Sequence, residues 1–248
     1  MCAAEGVNKT ARQDLLQTMI DSPDPETGEL AETARIAANC LVMLLAALDT
    51  TSSTVASVIK LLGEHDDVRE KVIDECRGVW EGCGPLSQMD EDGLAQKLAK
   101  LTYLDCVLQE TLRVRVPLMS TFRIATTDVV VPGTDYVIPK GWMVSMSHDA
   151  SFMNDSRSFP DPEKFLPERF LPGGVSHLYA NYKGPHFPFS KGAHQCPGNK
   201  FALAEAKIIV SILASRSRWP KLLKKCSEHQ CQNPALEEYG GMHVQFFH

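Results

Sequence analysis

From Glu29 to Gly63 the chain reads as one long helix, apolar on nearly every side in its middle. A helix of that kind has to sit at the centre of a core, so it constrains the fold more than any other stretch. Its apolar run, Ala37 to Leu48, is broken by Asn39 and bounded by Arg35 and Asp49, and reads as too short to span a bilayer. Directly after it come Asp49, Thr50 and Thr51. Short polar side chains compete for backbone hydrogen bonds and are poor choices inside a helix. In a buried one they need partners or a task.

A second stretch points to chemistry. Phe187-Pro-Phe-Ser-Lys-Gly-Ala-His-Gln-Cys-Pro-Gly198 is a turn-rich loop that delivers one thiol to the start of an apolar helical run, Phe201 to Leu213. Gly192 permits a turn that a side chain would block. Pro197 suits a first helical turn, where no backbone donor is needed. A sulfur at Cys196 faces unpaired backbone N–H groups and the positive end of a helix dipole, which suits a negatively charged metal ligand.

Other elements fall between these two. A short helical pattern, 11–20, ends at the turn residues 21–28, and Glu64 to Val79 and Asp90 to Lys97 read as further helices. Leu101 to Val116 is a partly buried helix that places Glu110 and Arg113 three apart on one face. Short strand signals over 121–147, joined by Pro-Gly and Pro-Lys-Gly turns, predict a small antiparallel sheet. Pro167-Glu-Arg-Phe170 lies in a proline-punctuated irregular segment, and a terminal strand follows the glycine turn at 240–241. His148 and His186 have no second ligand at a metal-binding spacing and read as surface or loop histidines.

Three motifs together resemble the cytochromes P450. Phe189-Ser-Lys-Gly192-Ala-His194-Gln-Cys196-Pro-Gly198 is similar to that family's haem-ligand loop, with His194 where an arginine usually stands. Ala46-Ala-Leu-Asp49-Thr50-Thr51 looks like its oxygen-activating stretch, with Ala47 in place of glycine. Glu110-Thr-Leu-Arg113 followed by Pro167-Glu-Arg169-Phe170 resembles its Glu–Arg–Arg lock.

The resemblance runs from about Glu29 to the C-terminus and covers the C-terminal half of such a protein. It implies a mainly α fold with a small antiparallel β part, an N-terminally truncated P450 in one domain, 1–248. The parts would be a central helix 29–63, a Glu-x-x-Arg helix 101–116, a small sheet 121–147, and the thiolate loop with its helix 187–215. It implies haem b, with iron bound by Cys196. Phe189 and Gly192 would shape the loop, and Arg123 and His194 would meet the haem propionates. Asp49 and Thr50 would hold water and pass protons. Glu110, Arg113 and Arg169 would lock the scaffold, and residues near Tyr239 to Met242 would touch the substrate.

The implied activity is insertion of one oxygen atom from O2 into an apolar small molecule such as a lipid, sterol, terpenoid or retinoid. A reductase using NADPH, or a ferredoxin-type donor, would supply the electrons. Two alternatives stay open: a non-catalytic truncated product, and a P450-like isomerase or dehydratase needing no external electrons. Full-length relatives usually sit on the endoplasmic reticulum membrane facing the cytosol, whereas the polar start of this chain shows no signal peptide.

Composition excludes little. The net charge of -6 gives no case for nucleic acid. Eight cysteines without paired Cys-x-x-Cys spacing argue against zinc ribbons and a disulfide framework, so a reducing compartment is expected, with Cys226 and Cys231 as free thiols. From Lys183 to Lys225 nine basic residues face one acid, Glu205, a surface suited to steering an acidic electron donor.

Overall fold

The long apolar segment is a helix, α2, over Thr33–Glu64, about 48 Å at the usual rise per residue. The computed structural model describes residues 14–24, 27–148, 156, 158–172 and 186–216, together with the backbone of 218–222 and 244–247. The expectations for Cys226, Cys231 and 239–242 lie outside these residues. The chain divides into two compact units, 1–49 and 50–248, with the boundary inside α2.

In the first unit, α1 (Leu15–Asp21) starts at Asp14, whose carboxylate accepts the Gln17 N–H at 2.8 Å and so satisfies an otherwise orphaned donor. Asp24 accepts from the Arg35 guanidinium at 3.0 Å. The first half of α2 departs from the expectation of burial: Leu41, Val42, Leu44, Leu45 and Leu48 are exposed, Leu44 and Leu48 by 68%. The reason is supply. Alongside this half-helix the unit has only α1 and one turn among its described residues, too little to cover a helix that is apolar all round. Contrary to the sequence reading, α2 as a whole is long and apolar enough to cross a membrane by length and composition.

The second unit holds the core. Val55, Val58, Leu61 and Leu62 of α2 meet α3 (Asp66–Trp80), α5 (Thr102–Val114) and α6 (Asn199–Arg216). The facing stripes keep a four-residue spacing, which puts them on one helix face. They are Val68, Val72, Cys76 and Trp80 on α3, and Ala206, Val210 and Ala214 on α6, which lies along α3. Burial pushes the Cys76 thiol up to about 12 and the Cys106 thiol up to about 11, so both are inert packing residues.

Helix ends are tied by remote side chains. α4 (Glu91–Lys100) starts at Asp90, its own cap, which accepts from Gly93 N. Lys97 donates to the Val79 carbonyl at the end of α3, at 2.6 Å. α5 has no side-chain cap of its own. Glu75 of α3 does that work, accepting from the Tyr103 and Leu104 backbone N–H groups at 2.7 and 2.9 Å and from the Thr102 hydroxyl at 3.2 Å.

The small β part is three antiparallel two-stranded ladders among the described residues. β1 (Ser120–Ile124) pairs with β4 (Met143–Ser147), and β2 (Val129–Val130) with β3 (Val137–Ile138). The expected terminal strand, β6 (Val244–Phe247), pairs with β5 (Arg218–Leu222). β5 was not expected, because Pro220 interrupts it and proline cannot donate to a ladder. The ladder accommodates this with a register shift between Arg218 and Lys221.

Candidate functional site

The cysteine loop closes on itself through its backbone. Ser190 N–H donates to the Phe187 carbonyl at 2.8 Å, Gln195 N–H to Gly192 at 3.1 Å, and Cys196 N–H to Phe189 at 2.9 Å. Two left-handed residues make the reversal possible, Ser190 at φ 61° and Gly192 at φ 77°. Glycine takes that conformation freely, whereas serine bears a cost of about 1–2 kcal/mol. His194 closes the short 3-10 turn that Gly192 begins. The result presents Cys196 as an exposed free thiol three residues before α6. Its sulfur lies 3.9 Å from where a Cβ on Gly198 would stand, against the approach to that helix. Phe187, which opens the loop, carries the Lys191 ammonium 5.4 Å from its ring centroid.

A buried ionic cluster joins α5 to the segment 160–169. Glu110 and Arg113 have fully buried side chains and form a two-bond pair at 2.7 and 2.8 Å. Arg169, 5% exposed, adds a contact to Glu110 at 3.2 Å. Two guanidiniums against one carboxylate leave a surplus positive charge. Four backbone carbonyls absorb it: Arg113 donates to Pro162 and Lys164, and Arg169 to Pro160, Asp161 and Lys164. Asp161 adopts φ 49° within this stretch. Glu110 also accepts the Leu166 N–H at 2.8 Å. A buried charge is tolerable only with such complete pairing.

The remaining candidates lie on other stretches of the chain. Asp49 and Thr50 are consecutive on α2 and both exposed, and the Thr50 carbonyl accepts the Thr54 hydroxyl at 2.8 Å. Arg123 lies in β1, half-buried, and donates to the Phe122 carbonyl at 2.8 Å. His148 and His186 are both buried, which corrects their reading as surface residues, while His186 does lie in a loop. Aromatic packing explains it. The His148 ring meets Phe187 edge-on at 5.8 Å, and His186 lies between Phe159 and Phe170 at 6.0 and 5.6 Å. Burial, reinforced by the Arg113 and Lys191 charges, pushes His186 down to about 3, so its ring is neutral.

Sequence reasoning missed four residues: Lys71, Glu75, Tyr103 and Glu168. Glu168 lies in the tetrapeptide that was singled out, but its partner Lys71 is 97 positions away. No spacing pattern reveals a pair so far apart.

The family model described as cytochrome P450 matches residues 4–230. The chain belongs to the cytochrome P450 family. Among curated P450 relatives it is 33% identical over 205 residues to cyclooctat-9-en-7-ol 5-monooxygenase of Streptomyces melanosporofaciens, covering 83% of this chain and 42% of that protein. It is 35% identical over 210 residues to abscisic acid 8'-hydroxylase 1 of Oryza sativa subsp. japonica, covering 83% and 40%. Among solved structures it resembles retinoic acid bound cyanobacterial CYP120A1, with a TM-score of 0.70, 33% identity, and coverage of 85% of this chain and 45% of that one. The chain thus spans less than half the length of the P450 relatives it matches, and its fold is a partial P450 fold.

The family implies a haem-thiolate group, and the donor set fits one. A single exposed sulfur is held by a backbone-braced loop, and among the described residues no three His, Cys, Asp or Glu gather into a competing metal cage. Haem iron would ask the protein for one thiolate, not a cage.

Proposed function

We propose that this chain is the haem-binding part of a P450 monooxygenase, inserting one oxygen atom from O2 into an apolar small molecule of the lipid, sterol, terpenoid or retinoid kind. The observation that carries this reading is the loop at 187–198, which fixes an exposed thiol at the approach to α6. Haem iron held by that thiolate supplies oxygen activation, with sulfur pushing electron density to favour O–O cleavage. Cys196 is the ligand. Arg123 and His194 carry N–H donors suited to the propionates. Asp49 and Thr50, a carboxylate beside a hydroxyl on one exposed stretch of α2, hold water and move protons at Thr50 Oγ1. The Glu110–Arg113–Arg169 cluster keeps the scaffold under the loop in one geometry.

The substrate class draws support from relatives named for cyclooctat-9-en-7-ol, beta-amyrin and abscisic acid. Electrons would come from a reductase or a ferredoxin-type donor meeting the exposed Lys191 and Lys200. Lys207 contributes less to that surface, since Asp105 holds it at 2.9 Å.

The test is a CO-difference spectrum of the protein reconstituted with haem. A thiolate-type band that disappears in Cys196→Ser supports ligation, and a band that survives the substitution refutes it. A second reading is favoured by the exposed Leu41–Leu48 surface and the half-length match: a chain that binds haem but does not turn over. Haem uptake with no NADPH-dependent product across reductase and ferredoxin donors would select it.

A further inference from the structure

The turn Pro167–Phe170 is gripped from two sides. On its inner side Arg169 reaches Glu110. On its outer side Glu168 Oε1 accepts from Lys71 Nζ at 2.7 Å and from the Tyr103 hydroxyl at 2.7 Å. The Lys71 ammonium also lies 5.5 Å from the Tyr103 ring centroid. Lys71 belongs to α3 and Tyr103 to the first turn of α5, the turn whose backbone N–H groups Glu75 of α3 already holds. Two packed helices therefore fix one carboxylate of one short turn.

That turn is also the neighbour of the cysteine loop. Phe170, its last residue, lies 5.6 Å from the His186 ring. His186 faces Phe159 on another side, and Phe159 lies under the Arg113 guanidinium at 5.3 Å. The residue after His186 is Phe187, whose carbonyl closes the first turn of the loop. A shift of the turn is thus passed by ring packing into the base of the segment that presents Cys196.

The geometry points to Glu168, clasped by Lys71 and Tyr103, as a positioning residue for the cysteine loop. The bland reading is a surface ion pair, worth about 0–1 kcal/mol. It does not explain why the tyrosine hydroxyl is spent on the same oxygen, nor why the residue beside Glu168 enters the buried cluster. The clasp sets where the turn lies more than how stable the fold is.

The experiment reads the alkylation rate of Cys196 by iodoacetamide on the whole chain without haem, with the Cys196→Ser rate subtracted to remove the other thiols. This makes it independent of whether Cys196 binds haem. Tyr103→Phe and Glu168→Gln should each change that rate by about threefold or more, the scale of a modest coupling between packed sites. Lys97→Met, which frees the Val79 carbonyl at the other end of α3, is the control for general loosening. Compared at equal loss of unfolding midpoint, it should leave the rate unchanged. Glu168→Asp, which keeps the charge but shortens the reach, should restore the rate only in part. If Glu168→Gln does not fold, Tyr103→Phe, which removes one hydroxyl, decides alone. A Cys196 rate in Tyr103→Phe equal to the parent's, or one matched by Lys97→Met, overturns the proposal. With haem added, Tyr103→Phe should lower the share of thiolate-type CO complex. Loss of that band in the parent itself would count against the haem reading and leave the alkylation result standing.

Discussion

Glu110 accepts from two arginines and one backbone N–H at a fully buried site, so its single carboxylate balances far more than one bond. Glu110→Gln should destabilise the chain by about 3–5 kcal/mol, because it strands two buried guanidiniums. Arg169→Met should cost less, since Arg113 still pairs with the acid. Urea unfolding of the two single variants and the double variant would measure the coupling between them. His186 gives a pH signature. Its folded value lies near 3 against 6.5 when unperturbed. Between those values the unfolded chain binds a proton that the native one refuses, so stability should fall as pH drops from about 6.5 toward 3. His186→Gln should flatten the unfolding midpoint against pH over that window. At this scale the sequence was informative about type and silent about setting. Glu110, Arg113 and Arg169 were legible as charges at motif spacing. The burial of His148 and His186 was not, because it comes from rings supplied by Phe159, Phe170 and Phe187 across the fold.

Among the elements, α5 shows a helix whose start depends on another helix. Glu75→Gln keeps the shape but removes the charge facing two orphan N–H groups, and should cost about 1–2 kcal/mol. Faster hydrogen exchange confined to Tyr103 and Leu104 would localise the loss; unchanged exchange there would argue against this cap. The helices themselves were readable from periodicity, with bounds that match closely for α5, Thr102–Val114 against an expected 101–116, and less closely for α2, which starts at Thr33 and not at Glu29. The borrowed cap was not readable. Glu75 lies on a face that looks like ordinary mixed charge, and only the packing of α3 on α5 gives it a partner. Arg218–Leu222 was hidden for a different reason, the proline within it, which a local rule counts against a strand.

For the whole molecule, the half of α2 outside the core decides behaviour in solution. The run of exposed leucines from Leu41 to Leu48 makes a patch large enough to recruit apolar partners. The chain should bind a hydrophobic dye such as ANS, and Leu44→Gln with Leu48→Gln should reduce that binding while changing the free energy of urea unfolding by no more than about 0.5 kcal/mol, as for other surface changes. A large fall in midpoint would show that these side chains are packed after all. Periodicity put this helix at the centre of a core, and the exposure of its first half corrects that; the pattern says only that the helix wants covering on every side. It could not say with what, because coverage is a property of all the other elements present and not of the helix.

The grip on the Pro167–Phe170 turn joins residues 97 positions apart in one case and 59 in another. Contacts between such remote positions bear their loop-closure entropy before they return any energy. They should therefore form late in refolding, after α3 and α5 have docked. Hydrogen-exchange pulse-labelling during refolding should then find the Leu166 N–H, which Glu110 holds, open to exchange long after the backbone of α3 and α5 is protected, so the approach to the thiol is set in place among the last events of assembly, when the scaffold around it is already built.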